Sequence, residues 1–393
     1  MIDFDQPISR QGSHSLKHDA VKAVFGTDDI LPLWVADMDF ATPPAVTDAL
    51  LKRAAHPLYG YTLAPDSLFD AMQNWIETRY RWKTERDWLM LAPGVVPTLN
   101  AAVLALTRPG DGVIVQPPVY PPFFSAVTRS GRTLVENPLR LSNDKYRMDF
   151  DHLESCMKRG ARLLLLCAPQ NPTGRVWTQP ELEELLALTQ RYRVTLLSDE
   201  IHADLTYPGV IHYSPGALTA GNNAIITAIA PSKTFNIPGL GLSALIIPNP
   251  EYRKALQNSF EMLHVSTTNP FSLAAFEAAY RKGGPWLMQL REYLAENRDF
   301  SREFIEQNLP GIRFIEPEGT YLLWLDCREL GMNDSELKQF FIRKAKVGLN
   351  PGMTFGVNGS GFMRMNIGTR KAVVAEALER IADALTSAKQ RAG

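Results

Sequence analysis

The chain has 393 residues, of which 45% are apolar and 21% charged, and its formal net charge is −1 at pH 7. This length and composition are ordinary for a folded protein with a large core and two domains. The near-zero net charge, with Arg and Lys scattered along the chain, argues against nucleic acid or an anionic membrane as the main partner.

Short sequence signals predict a soluble cytoplasmic protein. The three cysteines, Cys156, Cys167 and Cys327, are far apart and odd in number, which favours a reducing compartment and no disulfide framework. The N-terminal stretch MIDFDQPISR has neither the basic part nor the apolar part of a signal peptide, and the longest apolar runs are too short to span a bilayer. The seven histidines show no metal-ligand spacing, so we expect no metal.

The first predicted element that indicates a ligand site is an apolar helix behind a glycine. In APGVVPTLNAAVLAL, the turn Gly94, Val95 and Val96 leads into this helix, and Pro97 suits its first turn. Free backbone N–H groups and the helix dipole favour an anion there, although many helices begin in this way. Neither GxxxxGK[ST] nor GxGxxG is present, so a nucleoside-triphosphate or dinucleotide loop is not supported.

Three apolar runs in the middle of the chain predict parallel strands that are covered on both faces. We expect them at about residues 162–167, 193–198 and 224–230. A helix follows the first run, and its start is marked by a capping box of Thr178 and Glu181. The alternation of strands and helices predicts an α/β fold with a largely parallel sheet.

A polar residue of distinct type follows each of these strands: Asn171, Asp199 and Lys233. Ligands of open α/β sheets bind beyond the carboxyl ends of the strands, so the three side chains could converge on one cleft. Taken singly, each has an ordinary explanation, as a turn residue, a helix cap and a loop lysine respectively. Together they suit a pyridine aldehyde cofactor, with the lysine held for covalent chemistry.

The last third of the chain predicts a smaller domain. A pattern from Pro285 predicts a long linking helix, TYLLWLD and GFMRMNIG predict strands, and TRKAVVAEALERIADAL predicts a helix with one buried apolar face. Alternation in GFMRMNIG places Arg364 on the face opposite Met363 and Met365. From the residues alone, a surface salt bridge and a ligand contact are both open for Arg364.

The motifs NPTG, SDEIH and SKTFNIPG, in this order and spacing, resemble those of fold-type I pyridoxal-phosphate enzymes, the aminotransferase class I/II superfamily. LPLWVADMDF, YGYT, PPVYPPF and GFMRMNIG are similar to its MalY/PatB branch of cystathionine β-lyase-like C–S lyases. The resemblance covers about residues 2–385. It implies an aspartate-aminotransferase-like α/β fold, with a mainly parallel sheet in a large cofactor-binding domain (45–285) and a smaller α+β domain (1–44 and 286–393).

The resemblance also assigns roles around the cofactor, pyridoxal 5'-phosphate. Lys233 matches the lysine that forms the Schiff base, and Asp199 the carboxylate that pairs with the protonated pyridine nitrogen. Asn171 matches the residue bonded to the phenolate oxygen, and Tyr120 the aromatic side chain stacked on the ring. Arg364 matches the arginine whose planar fork grips the substrate α-carboxylate.

Further matches concern the cofactor phosphate. Gly94, Val95 and Val96 match the phosphate-binding turn, and Ser232 matches a hydroxyl donor. Tyr61 matches a tyrosine that reaches the phosphate from the neighbouring subunit, which implies a homodimer with shared active sites.

Three positions depart from aspartate aminotransferases. Gly241 stands where those enzymes have a phosphate-binding arginine, Ala230 where they have a serine and His202 where they have a tyrosine. Gly241 and His202 are typical of the C–S lyase branch, whereas Ala230 leaves one fewer phosphate donor. We count His202 among the cofactor-site residues and expect it to make a structural hydrogen bond there.

Three hypotheses for the function follow, the first two with a small amino-acid substrate. One is β-elimination of L-cystathionine or other L-cysteine S-conjugates to pyruvate, ammonia and a thiol, which the branch motifs favour. Another is an aminotransferase that uses the same residues and a 2-oxo acid. A third is a regulatory or protein-binding role on the same fold, against which the intact set of site residues argues.

Overall fold

The computed structural model describes residues 2–219 and 224–392. Its two main sheets have seven and four strands, and two further pairs of strands lie outside them. The strands are β1 (Leu31–Pro32), β2 (Leu89–Ala92), β3 (Gly112–Val115), β4 (Thr133–Glu136), β5 (Arg140–Ser142), β6 (Lys145–Arg147), β7 (Ala161–Cys167), β8 (Thr195–Asp199), β9 (Ile225–Ile229), β10 (Ser243–Ile246), β11 (Arg313–Ile315), β12 (Leu322–Asp326), β13 (Val347–Gly348), β14 (Asn350–Pro351) and β15 (Phe362–Asn366).

Helices cover both faces of the larger sheet and flank the smaller one. They are α1 (Leu16–Asp19), α2 (Val21–Phe25), α3 (Pro44–Ala55), α4 (Asp66–Tyr80), α5 (Val95–Leu106), α6 (Pro122–Thr128), α7 (Phe150–Lys158), α8 (Gln179–Tyr192), α9 (Pro215–Leu218), α10 (Pro231–Thr234), α11 (Pro250–Met262), α12 (Pro270–Lys282), α13 (Gly284–Asn308), α14 (Asp334–Gln339) and α15 (Lys371–Ala392).

The larger sheet has the order β2-β10-β9-β8-β7-β3-β4. The run from β9 to β4 is parallel, whereas β10 lies antiparallel to both β9 and β2. The predicted α/β fold with a mainly parallel sheet is therefore confirmed. In the smaller sheet, all pairings are antiparallel, in the order β11-β12-β15-β14.

The uniform apolar run of β7 reflects cover on both faces. Leu163 and Leu165 pack into a core cluster with α5 and α6, whereas Leu164 and Leu166 pack into another with α7 and α8. Because successive side chains of a strand point to opposite faces, every residue of the run must be apolar. The capping box at the start of α8 forms as predicted.

One predicted strand begins later than expected. β8 starts at Thr195 rather than at Arg193, because Arg193 ends α8 in the left-handed conformation with φ 54°. The backbone N–H of Val194 then bonds to the Thr189 carbonyl. The end of α8 therefore takes up the first two positions of the stretch that the sequence pattern assigned to the strand.

The two ends of the chain pack together. β1 pairs in parallel with β13, and Asn297, in the middle of α13, donates hydrogen bonds to the carbonyls of Ile367 and Thr369. The division into a large domain (45–285) and a small domain (1–44 and 286–393) stays a prediction. The predicted apolar stripe of α15 is buried at Val374, Leu378, Ile381 and Leu385.

Candidate active site

A cleft of about 260 Å³ lies at the carboxyl ends of β7, β8 and β9. The sequence-predicted residues that line it are Gly94, Val95, Val96, Tyr120, Asn171, Asp199, His202, Ser232 and Lys233. A larger cleft of about 890 Å³ lies between α3 and α12. The smaller cleft is the better candidate site, because buried titratable groups meet there.

Lys233 is carried into the cleft by the short helix α10, directly after β9. Its Nζ donates a hydrogen bond to the Ala36 carbonyl at 2.6 Å. Burial lowers the pKa of Lys233 to about 8, and the positive charge of Arg364 also lowers it, while Asp37 and Asp199 oppose the shift. A larger fraction of this amine is therefore neutral near pH 7 than in an ordinary lysine, as a nucleophile or base requires.

Asn236 fixes the segment that holds the lysine. Its side chain donates to the carbonyls of Met38 and Phe40 and accepts from the Met38 N–H. Asn236 has φ 56°, and the left-handed conformation suits Asn in a turn. The turn of residues 236–239 after Lys233 therefore positions the Ala36 carbonyl, although Lys233 and Ala36 are 197 residues apart in the chain.

Asp199 is a buried acid without a positively charged partner. Its side chain accepts the Ile201 N–H at 3.1 Å, and within residues 2–219 and 224–392 no cation lies within ion-pair distance of it. Burial raises the pKa of Asp199 to about 7. A cationic ring nitrogen would supply the missing partner and favour the ionised carboxylate, so this residue fits a pyridoxal cofactor.

Arg364, on β15, lies beside the cleft rather than in its lining, and is bonded to Asn171, which lines it. Its Nη1 donates to Asn171 Oδ1 at 3.1 Å, and its Nη2 donates to the Trp34 carbonyl and to Asn350 Oδ1, both at 2.7 Å. Its Nε is buried without a hydrogen-bond acceptor in the described part of the chain. Burial lowers the pKa of Arg364 to about 10. A guanidinium with no carboxylate partner fits an anionic ligand.

The surface salt bridge considered for Arg364 is wrong. The residue is only 4% exposed, because Asn171, the Trp34 carbonyl and Asn350 enclose its guanidinium on its face of β15. Asn366 on the same face is buried too, and donates to the carbonyls of Val35 and Asp37.

The start of α5 offers few phosphate donors. Gly94 has φ 143°, which favours glycine, and precedes Val95 and Val96, whose N–H groups begin the helix. Pro97 follows them and has no N–H. Gly241 also lines the cleft and brings no side chain, so two amides and the Ser232 hydroxyl remain as the candidate donors.

A structural hydrogen bond was expected of His202, and its Nδ1 does not make one. That nitrogen is buried without a partner among the described residues, and the ring lies edge-on to Tyr321 with 6.0 Å between centroids. Burial, then the charges of Lys233 and Arg364, lower the pKa of His202 to about 3. A neutral imidazole with an unpaired nitrogen therefore lines the cleft, which suits a contact to a bound ligand.

Tyr120 and Tyr61 lie in different surroundings. Tyr120 lines the cleft, and burial raises the pKa of its hydroxyl. Tyr61 is fully exposed and does not line the cleft of its own chain.

Sequence reasoning missed the backbone acceptors that organise this site. The Ala36 carbonyl accepts from Lys233 and also from the Tyr321 hydroxyl at 2.9 Å, and the Trp34 carbonyl and Asn350 hold Arg364. The motif LPLWVADMDF contributed to the resemblance, but a carbonyl has no side-chain signature. Asn350 stands in an ordinary Asn-Pro-Gly stretch that predicts only a turn.

The buried Asp199 predicts a pH effect on the stability of the cofactor-free protein. Its pKa of about 7 lies above its ordinary value of 3.8, so its stabilising contribution is full below about pH 4 and is lost as the pH rises through 7. Asp199→Asn should therefore lose less stability than the wild type between about pH 5 and pH 8. Urea unfolding at both pH values measures the difference.

The comparison with the wild type is needed because His202 has the opposite effect. Its lowered pKa makes the folded protein more stable as the pH rises from about 3 to 6.5. The exposed Asp87 gives a matched control, Asp87→Asn. Equal pH dependence of Asp199→Asn and the wild type would contradict the prediction.

Residues 2–219 and 224–392 contain no group of three or more His, Cys, Asp or Glu side chains placed to hold a metal ion. Over the same ranges no helix has the length and apolar character needed to cross a membrane.

Known proteins resemble this chain over nearly its whole length. It is 42% identical over 388 residues to cystathionine beta-lyase PatB of Bacillus subtilis (98% of this chain, 100% of that protein). It is 33% identical over 392 residues to protein MalY of Escherichia coli (99% and 100%). The crystal structure of cystalysin from Treponema denticola, which contains a pyridoxal 5'-phosphate cofactor, superposes with a TM-score of 0.96 at 36% identity (99% and 100%). The profile of the aminotransferase class I and II family matches residues 28–381, and the chain belongs to this family.

Proposed function

We propose that the protein is a pyridoxal-phosphate-dependent C–S lyase that acts on L-cystathionine or other L-cysteine S-conjugates. The observation that carries the proposal is one cleft in which Lys233, with a pKa of about 8, and a buried Asp199, with a pKa of about 7, lie together without a direct ion pair between them. A cystathionine beta-lyase at 42% identity and a pyridoxal-phosphate-containing cystalysin at TM-score 0.96 support the same reaction and cofactor.

Each residue of the cleft has a place around the cofactor. Lys233 would hold the aldehyde carbon and Asp199 the ring nitrogen, while Asn171 would bond to the phenolic oxygen and Tyr120 would stack on the ring. Gly94–Val96 and Ser232 would hold the phosphate. When bound, pyridoxal phosphate acts as an electron sink for the charge that develops at the substrate Cα.

The protein residues then bind the substrate and move its proton. Arg364 binds the α-carboxylate and fixes the orientation of the Cα–H bond. The neutral amine of Lys233 takes the Cα proton. The Cβ–S bond breaks with its electron pair on sulfur, which leaves as a thiolate, and the remaining three-carbon fragment takes up water to give pyruvate and ammonia.

The Ala36 carbonyl orients the lysine for this step. Because it accepts a hydrogen bond from Nζ at 2.6 Å, it limits the positions that the amine can take. The neutral His202 cannot compete for the proton near pH 7, since its pKa is about 3. Lys233 is thus the base of the cleft, and His202 contributes a neutral hydrogen-bonding group.

The test is a reaction of the cofactor-loaded protein with L-cystathionine and no oxo acid. We expect continuing release of pyruvate and free thiol in equal amounts. Turnover only after a 2-oxo acid is added would instead make the protein an aminotransferase. Failure of the purified protein to take up pyridoxal phosphate would reject both enzyme functions and favour a regulatory role on this fold.

We infer that two chains form a homodimer and that Tyr61 completes the neighbouring site. Tyr61 and its neighbours Leu58 and Leu63 are 112%, 71% and 90% exposed. An apolar stretch with this exposure fits burial against a partner. Tyr61 would then add a hydrogen-bond donor to the phosphate, which Ala230 and Gly241 cannot provide because neither has a polar side chain.

Shared sites predict complementation between two inactive variants. Co-expressed Tyr61→Ala and Lys233→Ala chains form hybrid dimers in which one of the two sites contains both native residues. Random pairing should restore roughly a quarter of the wild-type activity. The assay is pyruvate release by the mixture, with each variant alone as a control, and activity no higher than the sum of the two would contradict shared sites.

We also propose a cytoplasmic location and the two-domain division given above. The three cysteines are buried and unpaired, which suits a reducing compartment. With the boundary near residue 285, Lys233 belongs to the large domain and Arg364 to the small one. The substrate would then bridge the two domains, and its binding would favour their closure.

A further inference from the structure

A second polar cleft, of about 410 Å³, lies next to the proposed active site. Residues of one short segment separate the two: Ile201 and His202 line the first cleft, and Ala203 and Thr206 line the second. The rest of its wall comes from the end of α4, the helix α9 with the loop before it, and the helix α13. We name it the arginine cleft, after Arg79, Arg81 and Arg291, which line it.

Positive charge predominates in the arginine cleft. His212 lines it beside the three arginines, and no Asp or Glu is among the described residues of its wall. Two buried acids face these groups from behind: Asp204 accepts from Arg79 Nε at 3.4 Å, and Glu200 accepts from His212 Nε2 at 2.8 Å. Arg81 and Arg291 have no carboxylate within ion-pair distance in the described chain.

The arginine side chains keep free donors although their positions are fixed. Arg291 Nε donates to the Thr206 carbonyl at 2.6 Å, and its Nη2 donates to Thr206 Oγ1 and to the Tyr207 carbonyl. The guanidinium of Arg79 packs over the Trp75 ring at 5.7 Å. No acceptor in the described chain meets Arg291 Nη1 or the two Nη atoms of Arg79.

The two arginines also repel each other. Burial and then the charge of Arg79 lower the pKa of Arg291, while the charge of Asp204 opposes the shift. A pair of guanidinium groups with free donors in one cleft suits an anion, because forked N–H groups bind carboxylate and phosphate oxygens well. A bound anion would relieve the repulsion and would tie α4 to α13.

We propose that the arginine cleft is a binding site for a small dianion, such as a phosphate or a dicarboxylate. Arg79 and Arg291 hold the anion, and Arg81 adds positive charge at the rim. The site is separate from the cleft of Lys233 and Asp199, and the proposal does not depend on the lyase activity.

The test is calorimetric titration of the pyridoxal-phosphate-loaded protein with inorganic phosphate at constant ionic strength, and separately with succinate. We expect saturable binding of one anion per chain, and whichever probe binds more tightly identifies the class. Arg79→Gln and Arg291→Lys should weaken this binding by about tenfold or more, because each removes a forked charged contact. Thermal unfolding of each variant shows that it is folded.

A matched control is Arg147→Gln, since Arg147 is exposed on β6, outside the arginine cleft. This variant should bind the probe as the wild type does. Absence of saturable binding for both probes would overturn the proposal. So would binding that neither Arg79→Gln nor Arg291→Lys changes, because the anion would then occupy another site. Heat of binding is independent of pyruvate release, so this test and that of the lyase activity fail separately.

Discussion

Lys233→Ala is expected to lower kcat for pyruvate release from L-cystathionine by about 10³-fold or more. The substitution removes the amine that lies in the cleft with Asp199 and bonds to the Ala36 carbonyl. His202 cannot replace it as a base near pH 7, because its pKa is about 3. Initial rates of pyruvate formation at saturating substrate measure the loss.

A second signal separates lost chemistry from lost folding. Lys233→Ala should still take up pyridoxal phosphate through Asp199 and the turn at Gly94–Val96, but with the absorption spectrum of the free aldehyde. Lys83→Ala, at an exposed lysine, is the matched control and should keep both rate and spectrum. A variant at Lys233 that retains a tenth of the wild-type rate would show that another group removes the proton.

The convergence of Asn171, Asp199 and Lys233 could be predicted because it follows from sheet geometry. The strands β7, β8 and β9 are neighbours and parallel, so their carboxyl ends meet at one edge. The signals are local: an apolar run, then one polar residue. The predicted chemistry rests on the same local signals, since an acid, an amide and an amine at one edge suit a pyridine aldehyde, and the roles of the three residues stay a prediction.

The parts that could not be predicted depend on contacts between distant segments. The antiparallel β10 inserts between β2 and β9, and no local pattern specifies that pairing. The buried position of Arg364 is of the same kind, because strand alternation gives its face but not what covers that face. What covers it includes Asn171 and the Trp34 carbonyl, 193 and 330 residues away in the chain.

The segment of residues 34–40 shows why backbone groups escape sequence reasoning. Its carbonyls accept from Arg364, Asn366, Lys233 and Asn236. Any residue type provides a carbonyl, so the contribution of this segment to the site depends on the course of its backbone rather than on its side chains. The acids within it fix that path, since Asp39 receives the buried Lys17 and Arg10 as ion-pair partners.

Arg364→Lys is expected to raise KM for L-cystathionine by about 100-fold with a smaller change in kcat. Lysine keeps the positive charge but loses the planar fork that binds a carboxylate through two parallel hydrogen bonds. Its three N–H donors would all be used by Asn171, the Trp34 carbonyl and Asn350, whereas the guanidinium meets these three acceptors and keeps two further donors. Steady-state kinetics of pyruvate release give both constants.

The structural part of this loss can be separated from the loss of the carboxylate contact by changing the ligand. The ligand is the amine analogue of the substrate that lacks the α-carboxylate, and its binding is followed by the change in the cofactor spectrum. It should bind weakly to the cofactor-loaded wild type and equally weakly to cofactor-loaded Arg364→Lys. If Arg364 grips the carboxylate, the two changes are not additive, because each removes the same contact. If the substitution weakens the analogue as much as it weakens L-cystathionine, Arg364 serves only to join Asn171 to the segment of residues 34–40, and another group binds the carboxylate.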